Sequence, residues 1–135
     1  MGNVFAELTL KNVRDIGLAK SGYIPEQDIR SVFVTALVDT GAVTLIINED
    51  IRQKLGLDIE GVRPATLANG SKVDCKITEA VKICWKDRDF ITQAAVLPEC
   101  EVLLGVIPLE FMDLIVDPVS EQLVGAHGDR ILTRV

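Results

Sequence analysis

The stretch Ala36-Leu37-Val38-Asp39-Thr40-Gly41-Ala42 places a carboxylate directly after a strongly apolar run. Residues 32–38 are all apolar or β-branched, which predicts a strand that is buried on both faces. Acidic side chains are depleted in strands and are rarely buried without a partner. Asp39 therefore marks either an ordinary turn at the end of a strand or a carboxylate with a special role.

The composition excludes several classes of protein. The chain has 135 residues, of which 48% are hydrophobic, so we expect one domain over residues 1–135 with a substantial core. A net charge of −6 argues against a nucleic-acid or anionic-membrane partner, because such surfaces need clustered lysine and arginine. No apolar run is long enough to span a bilayer, and residues 1–10 lack the pattern of a secretory signal. With three cysteines and no CxxC pair, we expect a cytoplasmic protein.

Most of the remaining sequence predicts short strands. Apolar or alternating segments recur about every ten residues, and turn-forming residues separate them, which is typical of an all-β sandwich or barrel. Besides residues 32–38, the predicted strands lie at 4–10, 77–85, 90–97, 101–105, 114–117, 122–124 and 131–135.

Two short helices are also predicted, one over residues 48–55 and one from Pro108. Asn48 is a suitable N-cap, and Gly56 can end the first helix in a left-handed conformation. Pro108 is favoured in the first turn of a helix. Residues 15–30 are rich in glycine and charge, and we expect them to form a long connection between two strands.

The pair Asn69-Gly70 predicts a β-hairpin. It lies between two extended segments, and Asn-Gly is the strongest short-range hairpin signal because both turn positions need φ > 0. Taken alone, the pair indicates a hairpin tip and no particular function.

Three features occur in a fixed order along the chain. Asp-Thr-Gly-Ala at 39–42 is followed by the hairpin at Asn69-Gly70, and Leu103-Leu104-Gly105 then precedes a short helix. This order resembles the retropepsin-like aspartic proteases, including their bacterial and archaeal single-domain relatives, over roughly residues 30–117. The resemblance implies an all-β fold, a closed acid-protease-like barrel with one or two short helices.

The resemblance also implies a chemistry. Aspartic proteases hydrolyse peptides with two carboxylates that share one proton and activate a water. The chain has a single Asp-Thr-Gly and is too short for two lobes, so the second carboxylate must come from a second copy. The implied enzyme is thus a homodimer with a peptide or protein substrate and no metal or organic cofactor.

Individual residues acquire expected roles from this resemblance. Asp39 would be the catalytic carboxylate, Thr40 would brace the two copies, and Gly41 would donate N–H groups to the carboxylate. The hairpin would be a flap that covers the substrate. The residues expected to bind substrate are Ala42, Ala68, Asn69 and Gly70.

The sequence departs from the retroviral pattern in two places. Val43 and Thr44 stand where the retroviral enzymes have acidic residues, and Val106 follows Gly105 where an arginine is expected. The two halves of an ion pair are therefore absent together. This leaves open a catalytically silent peptide-binding or dimerisation module on the same fold.

Other chemistries have weaker support in the sequence. An aspartyl-phosphate nucleophile would need a parallel α/β sheet, and too few helices are predicted for one. The cysteines have no close histidine partner, so we expect core or half-buried thiols rather than metal ligands. His127 is expected at the surface, and Trp85 is expected in the core because it alternates with Val81 and Ile83.

Overall fold

Nine strands and three α-helices occupy the part of the chain that the computed structural model describes, residues 3–67, 69–129 and 131. The helices are α1 (Val13–Lys20), α2 (Glu49–Leu55) and α3 (Val106–Phe111), and Glu26–Asp28 form a 3₁₀ turn. None of the helices in these ranges is long and apolar enough to cross a membrane. The strands are β1 (Phe5–Asn12), β2 (Ser31–Val38), β3 (Leu45–Ile47), β4 (Ile59–Thr66), β5 (Lys72–Trp85), β6 (Arg88–Val96), β7 (Leu103–Leu104), β8 (Leu114–Asp117) and β9 (Gln122–Gly125).

The main sheet closes into a ring. Its strand order is β1-β2-β7-β3-β6-β5-β4, and β1 pairs again with β5 from Thr9↔Cys84 to Asn12↔Val81. Strand β4 continues the sheet beyond β5, and β8 and β9 form a separate hairpin. The prediction of a mainly β fold with one or more short helices is confirmed, and the main sheet is ring-like.

The ring encloses one apolar core, because alternate residues of each strand face inward. On β1, Ala6, Leu8 and Leu10 are buried, whereas Phe5 and Glu7 are exposed. Complete burial of one leucine contributes about 2 kcal/mol. Side chains of α2 and α3 join the same core, namely Ile51, Leu55 and Leu109.

The prediction that residues 32–38 are buried on both faces is wrong. Val34 and Ala36 face the core, but Phe33 is 67% exposed and Thr35 is also exposed. A strand in a closed ring has one face toward the interior, and its other face meets solvent unless a second layer covers it.

Helix α1 lies where the sequence predicts part of a long connection. The Oδ1 of Asn12 accepts the N–H of Asp15 at 3.0 Å and caps the helix, and Arg30 binds the buried Asp15 carboxylate at 2.8 and 3.0 Å. These contacts hold the connection against the start of β2. The eight residues of β2, about 26 Å at 3.3 Å per residue, separate it from Asp39.

The two predicted helices form, with one difference in their bounds. The Oδ1 of Asn48 accepts the N–H of Ile51 at 2.9 Å, and Gly56 ends α2 with φ +61°. Helix α3 begins at Val106 instead of Pro108, directly after Gly105. The hairpin predicted over 114–124 is present as β8 and β9. The strand predicted at 131–135 lies outside the described residues except for Ile131.

Candidate active site

Asp39 follows β2 and begins a short loop, residues 39–44, that we call the Asp39 loop. The N–H of Asp39 donates to the Leu104 carbonyl at 3.0 Å, which fixes the loop to β7. The Gly41 N–H donates to Oδ1 of Asp39 at 2.9 Å, and the Ala42 N–H donates to the Asp39 carbonyl at 3.0 Å. The Asp39 side chain is thereby oriented by its own loop.

One side of the Asp39 loop faces solvent. Asp39 is half-buried, whereas Thr40 and Gly41 are exposed. Among the described residues, Gly41 is the one hydrogen-bond donor to the Asp39 carboxylate, and none of them bonds to the Thr40 hydroxyl. A Cβ on Gly41 would lie 3.1 Å from Oδ1 of Asp39, so a side chain there would crowd the carboxylate.

Three backbone hydrogen bonds join the Asp39 loop to the start of α3. Gly105 donates to Thr44 at 3.0 Å, Val106 donates to Ala42 at 2.9 Å, and Ile107 donates to the Val43 carbonyl at 3.0 Å. Strand β7 lies beside β2 in parallel and beside β3 antiparallel, so the chain on both sides of the loop pairs with the same two residues. The loop is therefore held rigidly from the interior.

Gly105 allows the Asp39 loop and the start of α3 to lie this close together, a contact that we call the crossing at Gly105. A Cβ at this position would lie 2.5 Å from the Thr44 carbonyl oxygen, 2.6 Å from the Ala42 carbonyl oxygen and 2.7 Å from the Thr44 nitrogen. All three atoms belong to the backbone, so no side-chain rotation relieves the overlap. In the sequence, this close contact is indicated by the glycine that directly follows two leucines.

The predicted hairpin is present, with β4 and β5 as its arms. The Leu67 N–H donates to the Ser71 carbonyl at 2.8 Å, which extends the pairing of the two arms beyond Thr66 and Lys72. Gly70 has φ +85°, and the Asn69 carboxamide oxygen accepts the Ser71 N–H at 2.9 Å. Ala68, also predicted to bind substrate, lies outside the described residues.

The structure thus brings four of the predicted site residues together in one loop, and it places two others at the tip of a separate hairpin. The first group is Asp39, Thr40, Gly41 and Ala42, and the second is Asn69 and Gly70. The roles assigned to them remain predictions. The half-buried carboxylate on a rigid loop can accept a proton or a hydrogen bond, and one chain supplies one such group at this loop.

Two ion pairs involve residues of α1. The hydrogen bond from Arg30 holds the pKa of Asp15 below its usual value, despite burial that acts in the opposite direction. Arg14 lowers the pKa of Glu79 in the same way. These pairs fix α1 to the ring, and the length of β2 separates Arg30 from the Asp39 loop.

Two contacts of polar side chains near the C-terminal hairpin were not predicted from the sequence. Arg88 is 4% exposed and donates to the carbonyls of Met112, Asp113 and Gly128. His127 is partly exposed, as predicted, and its Nδ1 lies 2.7 Å from a carboxylate oxygen of Asp113. Both residues lie in segments that the sequence predicts as turns or loops, and such segments do not reveal contacts with distant residues.

The cysteines fit the expectation of core or half-buried thiols. Cys75 is buried and Cys84 and Cys100 are half-buried, and burial raises the pKa of Cys75 and of Cys100. Within the described ranges, no group of three or more His, Cys, Asp or Glu side chains is arranged to hold a metal ion.

The ring, the crossing at Gly105 and the Asp39 loop define the acid-protease class of fold. The family model described as "Aspartyl protease" matches residues 27–107, more than half of the chain, so the chain belongs to this family. The structure is similar to the EIAV protease complexed with the inhibitor HBY-793, with a TM-score of 0.55 and 17% sequence identity over 80% of this chain and 86% of that one. No curated protein matches the sequence significantly. The expected resemblance to the retropepsin-like proteases is confirmed at the level of family and fold.

Proposed function

We propose that the chain is a homodimeric aspartic endopeptidase in which each copy supplies Asp39 to a catalytic pair. One carboxylate of the pair takes a proton from a water molecule, and that water attacks the carbonyl carbon of the scissile peptide bond. The other carboxylate gives its proton to the carbonyl oxygen. The two carboxylates share one proton, because two carboxyl groups about 3 Å apart do not both ionise easily.

One observation carries this proposal. The Asp39 carboxylate lies on an exposed loop that is locked from the interior by Gly105 and its neighbours, and its second side is open. A two-fold axis beside the loop would bring the same carboxylate from a second copy against it. Membership of the aspartyl protease family supports the same chemistry.

The neighbouring residues receive roles within this proposal. The exposed Thr40 hydroxyl would bond across the axis to the second copy, and Gly41 orients the carboxylate. The hairpin tip at Asn69-Gly70, together with Ala68, would close over a peptide that lies along Ala42. The chemistry requires no metal or organic cofactor. A single domain over residues 1–135 and a cytoplasmic location remain predictions.

A second function is favoured by one feature of the loop. Val43 is 65% exposed, and Val106 lies in the place where the retroviral enzymes have an arginine. An exposed apolar residue beside the carboxylate suits a contact with a partner at least as well as hydrolysis. The alternative is a catalytically silent peptide-binding or dimerisation module.

The first experiment measures assembly and cleavage together. Sedimentation equilibrium at pH 5 and pH 7 gives the oligomeric state, and digestion of a peptide library followed by mass spectrometry gives activity. We expect a dimer, and cleavage that is lost in Asp39→Asn and retained in Asp87→Asn, a control at an exposed turn. Partner binding without cleavage in wild type and Asp39→Asn alike would favour the silent module.

A mixing experiment tests whether both copies contribute. Asp39→Asn is added to a fixed amount of wild-type protein under conditions that allow exchange. Random pairing into dimers lowers activity to about one half with an equal amount of variant and to about one quarter with a threefold excess. Activity that does not change on addition of the variant would show that one carboxylate is enough.

A further inference from the structure

Polar side chains form a row that connects the Asp39 loop with the hairpin arm. Thr44, at the end of the loop, donates from Oγ1 to the Gln93 carbonyl at 3.4 Å, and Gln93 donates from Nε2 to Oε2 of Glu60 at 3.0 Å. Gln93 lies on β6, and Glu60 lies on β4, the first strand of the hairpin. The row therefore spans the surface between the two elements that would enclose a peptide.

The register of the strands places this row on the outer face of the sheet. Leu45 of β3 pairs with Ala94 of β6, and both are buried, so Thr44 and Gln93 point to the opposite face. The strand order from β3 through β6 and β5 to β4 adds three strand spacings, about 14 Å. An extended peptide covers this distance with about four residues.

Glu60 is the charged end of the row. Its side chain is exposed, and the Gln93 amide occupies Oε2. Among the described residues, no cationic side chain forms a salt bridge with Glu60, and none donates to Oε1. A carboxylate oriented by an amide, with one oxygen open, is an acceptor for an ammonium or guanidinium group.

We propose that Glu60 determines specificity by binding a lysine or arginine side chain of the peptide substrate, several residues from the scissile bond. This inference rests on the proposed function, because it places the substrate peptide on the surface between the Asp39 loop and the hairpin. In a two-fold symmetric dimer, one Glu60 lies toward each end of the bound peptide. The preference for a basic residue then appears at equal distances on the two sides of the scissile bond, around a centre lined by uncharged residues such as Val43.

The first test is a cleavage profile. Libraries of peptides that carry Lys, Gln or Glu at each position are digested with wild type, Glu60→Gln, Glu60→Lys and the control Glu26→Gln, which lies in the 3₁₀ turn beyond the other end of β2. We expect wild type and the control to favour Lys by about two- to fivefold in kcat/KM at one position on each side, the range of an exposed ion pair. Glu60→Gln abolishes the preference, and Glu60→Lys shifts it toward Glu.

The second test measures binding without catalysis, so that it does not depend on cleavage. Fluorescence anisotropy with Asp39→Asn compares an octapeptide with an apolar centre and lysine near both ends with its glutamine counterpart. We expect tighter binding of the lysine peptide, lost on adding Glu60→Gln and weakened at high salt. If wild type cleaves nothing but this difference is found, the proposed catalysis fails and the role of Glu60 stands. Equal binding of the two peptides, or an equal loss for both in Glu60→Gln, would overturn the inference.

Discussion

The crossing at Gly105 yields the most direct prediction for stability and activity. In Gly105→Ala the new Cβ meets three backbone atoms of Ala42 and Thr44 at 2.5–2.7 Å. Ordinary contact begins near 3.4 Å, so the loop and α3 must separate by roughly 0.7–0.9 Å. No rotamer change of a neighbour removes this overlap.

The cost follows from the contacts that the separation weakens. Overpacking of a closely packed site costs about 1–3 kcal/mol, and each of the three backbone hydrogen bonds around Gly105 contributes about 0.5–1.5 kcal/mol when intact. Partial loss of these bonds gives a decrease of about 2–4 kcal/mol in the free energy of unfolding. For a chain of this size we expect the Tm to fall by about 8–16 °C.

The assay is thermal unfolding followed by circular dichroism, with peptide cleavage measured well below the Tm. The matched control is Gly17→Ala, because Gly17 lies in α1 with no atom within 4 Å of the added Cβ. Alanine favours a helix over glycine by about 1 kcal/mol, so the control is expected to be neutral or more stable. Cleavage by Gly105→Ala should fall by more than its unfolded fraction explains, since the shift displaces Asp39. An unchanged Tm together with full activity would refute this account of the crossing.

Three further variants test the supports of the fold. Asp15→Asn removes a carboxylate whose pKa is lowered by the hydrogen bond from Arg30. This stabilisation is present above the unfolded pKa of about 4 and is lost as pH falls through the lower folded pKa, so we expect the variant to be less stable than wild type at pH 7 and the difference between them to shrink below about pH 4. Urea unfolding across pH measures this difference. Asn48→Ala should cost about 1 kcal/mol through the lost N-cap of α2, and an unchanged urea midpoint would contradict the cap. Arg88→Met should cost about 2–4 kcal/mol because buried carbonyls lose their donor, and a Tm equal to that of wild type would show that water replaces the guanidinium.

Features set by local chemistry were predictable from the sequence. The N-cap Asn48 and the left-handed Gly56 directly flank α2, so the local sequence predicts both ends of the helix. The link from the strand at 32–38 to Asp39 and the hairpin at Asn69-Gly70 are equally local. The order of these features along the chain was enough to indicate the family that the comparisons then showed.

Features set by contacts between distant residues were not predictable. Helix α1 contains Gly17 and only eight residues, and such a helix is marginal alone. It is held by the contact of Asp15 with Arg30, fifteen residues away, which no local pattern reveals. The exposure of one face of β2 was not predictable for another reason. Phe33 is apolar, and the sequence alone does not show which apolar residues lack a covering layer.

The Asp39 loop is rigid on one side and open on the other, and this asymmetry constrains how the proposed site works. Its interior side is fixed by backbone bonds to β7 and α3, so formation of the site does not require the loop to fold on contact with a second copy. Its open side presents Thr40 and Val43 to solvent in the single chain. In the proposed dimer the two carboxylates share one proton, so we expect formation of the pair to be favoured at lower pH. We therefore expect a shift from about pH 8 to about pH 5 to favour the proposed dimer and its activity together, and a rate that keeps rising above pH 8 would be inconsistent with a shared proton.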